Sequence, residues 1–111
     1  MNKVTIFLLI IGMTKSVFAG TVPRITEEEH EKKCIQIAQL AQLFMTTRQN
    51  GAPILEALEI VDKAFKEKED KDLIKDIVRD AYTQPTYTAP SIKKDQVNEF
   101  TAKHYLACSG Y

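Results

Sequence analysis

The chain has 111 residues, no tryptophan, four glycines, and equal numbers of basic and acidic side chains, 15 of each. A chain of this size holds one domain with one modest core. Its even charge balance speaks against a nucleic-acid binder, which needs a concentrated basic face to displace counterions, and its scarce glycine suits helices better than tight hairpins.

The chain opens as an export leader. Met1-Asn2-Lys3 is a short positive start, residues 4–13 (VTIFLLIIGM) carry no charge, and Ser16-Val17-Phe18-Ala19 is a small-residue exit. That three-part pattern predicts a signal peptide over 1–19, cut after Ala19. A membrane anchor fits worse: a spanning helix needs about 20 apolar residues, and Lys15 interrupts the run two residues past Met13. Gly20, not cysteine, stands after the cut, so a lipid-modified anchor is unsupported as well. Cleavage removes Lys3 and Lys15, leaving 92 residues with 13 basic and 15 acidic side chains, a net charge of −2.

Residues 20–25 read as an extended lead-in and 26–111 as one helical domain. Thr26 and Glu29 have the N-cap and N3 spacing of a capping box. Cys34, Ile37, Ala38, Ala41, Phe44 and Met45 then recur at spacings of three and four, one apolar face broadened by Leu40 and Leu43. Asn50-Gly51 tolerates positive φ and ends this first helix, and Pro53 stands where a new first turn begins.

A second helix is predicted over residues 53–66, with Ile54, Leu55, Leu58, Val61 and Phe65 inward. The mixed-charge run 66–72 reads as a solvated turn. A third helix carries Leu73, Ile74, Ile77, Val78, Ala81 and Tyr82. Pro85 and Pro90 break the ladder after it, and Ser91 is the expected cap of a fourth helix facing inward through Val97, Phe100, His104 and Cys108. Four helices with short links predict an all-α, antiparallel up-down bundle. The Met and Phe positions, Phe44, Met45, Phe65 and Phe100, read as core packing, and no cofactor is expected.

In an exported chain, two lone cysteines predict a disulfide, Cys34 to Cys108. It closes a loop of about 75 residues and is worth about 4–5 kcal/mol in the chain-entropy picture. Up-down order brings the start of the first helix beside the end of the fourth, where these cysteines stand. The alternative is a zinc site of His30, Cys34, His104 and Cys108, since each histidine precedes its cysteine by four residues on one helical face. That site requires Cys34 to lie against His104 and His30 against Cys108. Level cysteines would send the histidines in opposite directions.

No hydrolase, phosphate-loop or metalloprotease motif is present. A paired cysteine cannot attack, and Glu56 with Glu59 and Asp76 with Asp80 have the spacing of a solvated face. An enzyme is therefore not expected. Up-down order gathers Arg48, Gln49, Asn50, Tyr82, Gln84 and Tyr87 at the end opposite the cysteines. Tyrosine and arginine are residue types that interfaces prefer, so this cluster is the candidate partner-binding patch, against the plainer reading that it shapes and covers the loops.

Two stretches, Phe44-Met45-Thr46-Thr47-Arg48-Gln49-Asn50-Gly51 and Ala81-Tyr82-Thr83-Gln84-Pro85-Thr86-Tyr87, have Cys34 ahead of them and Phe100 and Leu106-Ala107-Cys108 behind. Over residues 34–108 the chain resembles a loose group of small exported proteins of phages and prophage-carrying Gram-negative bacteria. The resemblance implies a periplasmic or secreted setting and carries over no catalytic residue. The expectation is a small exported helical protein that binds another macromolecule, an envelope or periplasmic protein, with no nucleic acid and no stable membrane insertion after cleavage. In a phage setting it would act as an accessory at the host envelope. The alternatives are a periplasmic stress chaperone and an inhibitor of a cell-wall hydrolase.

Overall fold

A computed structural model describes residues 25–110. The predicted leader and all of the lead-in but Ile25 lie outside the described residues. Within them the chain is four helices: α1 Glu27–Gln49, α2 Ile54–Ala64, α3 Lys68–Thr83 and α4 Pro90–Ser109. None is long and apolar enough to cross a membrane.

Local chemistry sets the ends of α1. The Thr26 hydroxyl accepts from the Glu29 amide, and the Glu29 carboxylate accepts from the Thr26 amide, both at 3.0 Å. Glu27, Glu28 and Glu29 stand in the first turn and Arg48 in the last, matching the charges of the helix dipole. At the far end Gly51 takes φ +89°. Its amide reaches back to Arg48 O at 3.1 Å, and the Ala52 amide reaches Thr47 O at 3.0 Å, the two bonds of a Schellman stop.

Two predicted boundaries move. Lys68 already opens α3, so the turn after α2 is only residues 65–67 and most of the mixed-charge run is helix. Lys68 with Asp72 at i,i+4 stabilises that exposed first turn. Ser91 is not the cap of α4: Ala89 is, without a side-chain bond, and Pro90 occupies the first turn, where its missing amide hydrogen costs nothing.

The core draws on all four helices unequally. α1 contributes Ile37, Ala41, Phe44 and Met45, α2 Ala57 and Val61, α3 Ile74, Ile77, Val78 and Ala81, and α4 Phe100 alone. Leu55, predicted inward, is 74 % exposed. At about 100° per residue it stands more than a quarter-turn from the Ala57–Val61 side that meets α3.

The helices run up-down-up-down, with α3 parallel to α1 and α4 antiparallel to it. Their contacts follow the order α4–α1–α3–α2, because α1 lies against both α4 and α3, while α2 packs mainly on α3. α3 and α4 barely approach one another. The bundle is therefore open along that side.

Candidate functional site

The loop end holds all six residues of the predicted patch, and most of them bond one another. Gln49 is 3 % exposed, the one buried polar side chain among the described residues. Its amide nitrogen donates to Pro85 O at 2.8 Å, and its amide oxygen accepts from the Tyr87 backbone at 3.0 Å. Lys93 donates to Gln49 O at 2.6 Å. Arg48 Nε donates to Gln84 O at 3.0 Å, and its guanidinium lies 5.3 Å over the Tyr82 ring. The Tyr82 hydroxyl in turn donates to Ala52 O at 2.7 Å.

A buried amide with both its oxygen and its nitrogen bonded is a rigid fastening. The segments 44–51 and 81–87 are thus two halves of one knot, which fixes the 84–89 connection against the end of α1. Asn50 remains exposed and Tyr87 half-buried. The plainer reading, that these residues shape the loops, describes Gln49, Arg48 and Tyr82 directly. Lys93 belongs to the knot too; standing among the polar residues of α4's first turns, it carried no signal in the sequence.

At the other end Cys34 and Cys108 form the disulfide, with Cα atoms 5.4 Å apart. The cysteines lie level, and the histidines separate as that register requires. His30 Nε2 lies 3.5 Å from Cys34 Sγ and 3.1 Å from Cys108 O. His104 faces α3, where its Nε2 meets Asp80 Oδ2 at 2.8 Å, and its ring packs on Phe100 at 4.5 Å between centroids. The four-ligand zinc set, the alternative to the predicted disulfide, does not assemble, because His104 bonds a carboxylate on another helix.

Asp80, predicted to be part of a solvated face, bridges the gap between α3 and α4. The same Oδ2 accepts from Lys103 Nζ at 2.7 Å. Burial alone pushes this carboxyl up, but the hydrogen bonds from Lys103 and His104 outweigh it and hold Asp80 below the usual carboxylate range. Its neighbour Ala81, wholly buried, was the available hint: Asp80 flanks the inward stripe. Asp76, by contrast, meets only Arg79 on the surface.

Beside that bridge lies an opening of about 350 Å³, with Ile37, Leu73, Ile77, Ala107 and Cys108 as its apolar lining and Asp76, Asp80 and His104 at its polar edge. A second opening of about 340 Å³ shares Ile37 and Leu73 and extends along α1 and α3 past Leu40, Phe65, Lys32, Lys33 and Asp70. The two openings are neighbours along the cleft between α1 and α3 and share Ile37 and Leu73 in their walls, the first toward α4 and the second toward Phe65. Leu73 is 45 % exposed there.

Neither a protein-family model, nor a curated protein, nor a solved structure matches the chain.

Proposed function

We propose that the chain is an exported helical protein that binds another macromolecule by seating a short amphipathic helix of a partner in the α1–α3 cleft. The observation that carries this reading is the pair of neighbouring apolar openings along α1 and α3, which share Ile37 and Leu73. Helix-in-groove recognition needs an apolar trough with charged edges.

The cleft suits that occupant in length and charge. From Asp70 to Asp80 along α3 is about 15 Å, roughly three turns of a bound helix. Asp70 and Asp76 edge the α3 side, and Glu29, Lys32 and Lys33 edge the α1 side. A ligand helix with a basic flank toward α3 would be favoured by that acidic edge. The disulfide and the leader pattern favour an oxidising compartment, and the resemblance favours the envelope of a Gram-negative bacterium, with a phage-encoded accessory as the narrower form of the same proposal.

Site-specific photo-crosslinking tests it. A photoreactive residue in place of Leu73 should trap one envelope protein through an apolar helical face, and Lys32→Glu with Lys33→Glu should weaken that adduct. The same probe at Asn50 should trap little. Adducts confined to Asn50 would restore the loop end as the binding patch and remove the cleft.

A further inference from the structure

A disulfide needs no histidine beside it, yet His30 stands one turn before Cys34 and contacts the Cys34 sulfur and the Cys108 carbonyl. The donor atoms of His30, Cys34 and Cys108 all lie within 4.8 Å of one another. We propose that reduction converts the bridge into a three-ligand site for a zinc-class cation, held by Cys34 Sγ, Cys108 Sγ and His30 Nε2. This goes beyond the cleft reading and does not depend on it.

The geometry is close to that of a tetrahedral metal already. On one zinc, a thiolate sulfur and an imidazole nitrogen lie about 3.6 Å apart, from bond lengths near 2.3 and 2.05 Å. His30 Nε2 and Cys34 Sγ are 3.5 Å apart. The two sulfurs must separate to about 3.8 Å on the same metal, a change that side-chain rotation supplies while the helices stay in place. His30 Nε2 gives up its contact with Cys108 O and presents its lone pair, with the imidazole proton on Nδ1.

Access runs through His30 and Cys108. Cys34 has no exposed surface, whereas Cys108 is partly exposed and His30 is exposed. An opening edged by Thr26, Glu27, His30 and Glu31 reaches this face. The cation therefore keeps an open fourth position toward solvent, in the manner of three-ligand zinc sites. Thiolate and imidazole donors select zinc-class ions over magnesium or calcium.

The conversion balances. A dithiol reductant passes two electrons to the sulfur–sulfur bond, which breaks; its own sulfurs join as a disulfide, and its two protons go to Cys34 and Cys108. Binding of the dication then releases both protons to solvent and leaves two metal-bound thiolates. In oxidised protein the covalent bond staples α1 to α4; in reduced protein the metal does.

The test uses the full chain, reduced with a dithiol and freed of it without oxygen. Cobalt(II) should bind one to one, with strong thiolate-to-cobalt absorption and tetrahedral visible bands, and zinc should displace it. Any helicity lost on reduction should return with the metal. His30→Ala should weaken cobalt binding by at least about tenfold, since losing even an outer-shell partner costs that much, while His104→Ala should bind as the wild type does. The proposal is overturned by equal binding to oxidised protein, by a reduced chain that takes up no stoichiometric cobalt or stays unfolded with it, or by His104→Ala weakening the site as much as His30→Ala.

Discussion

The two ends of this bundle are held by different physics. At the loop end, three chain segments converge on Gln49, and most of the residues that looked available for a partner are engaged with one another. At the cysteine end a covalent bond fastens the broad α1–α4 interface, with His30–Cys108 O and Tyr105–Glu31 contacts beside it, and the same end has the open cleft beside α3. The difference teaches where surface can be left uncovered. A noncovalent knot must satisfy every buried polar group in it, so it consumes its own surface. A disulfide fixes two helices at one point without a buried polar group to satisfy, and among the residues of α4 only Phe100 is buried.

The contrast is most directly broken by removing the bond. Cys34→Ser with Cys108→Ser opens a 74-residue separation and should lower unfolding stability by about 4–5 kcal/mol in a urea titration. A loss under about 1 kcal/mol would mean that the loop knot holds both ends.

Next comes the knot. Gln49→Ala leaves Pro85 O and the Tyr87 amide without their partner and should cost about 2 kcal/mol. Hydrogen exchange would locate the effect: the Tyr87 amide should lose protection, while amides around Cys34 keep theirs. Uniform loss across the chain would erase the distinction between the ends.

The smallest effect is expected at the bridge over the gap. Asp80→Asn should cost about 1 kcal/mol or less, because Lys103 is half exposed. Asp80 has a folded pKa below its ordinary 3.8. Its contribution is therefore whole above the unfolded value and is lost as pH falls through the folded one. Melting temperatures of wild type and Asp80→Asn should differ at neutral pH and converge below about pH 4. A difference that persists unchanged at pH 2 would show that the carboxylate charge is not what bridges α3 and α4.

Much of the fold was legible because it rests on short-range rules. The Thr26–Glu29 box, the Gly51 stop and the stripe from Cys34 to Met45 each follow from spacings within a few residues, and all three stand in the structure. The site was legible only in outline. Spacing placed Gln49 and Tyr87 at one end, but it had no means of showing that the Gln49 side chain turns inward to bond a loop 36 and 38 residues away. The charge run 66–72 misled because solvated helix and solvated turn have the same composition, and only the i,i+4 ion pair of Lys68 and Asp72 distinguishes them.

By itself, the sequence determined the number of helices, their apolar faces, their up-down order and the pairing of Cys34 with Cys108, since these depend on helical period, link length and covalent chemistry. Tertiary structure alone decided that Leu55 faces out, that His30 stays at the disulfide while His104 leaves it for Asp80, and that α3 and α4 stand apart. Those outcomes depend on which polar groups lose water together when distant helices meet. That choice is set by the register of helix against helix, and no local spacing carries it.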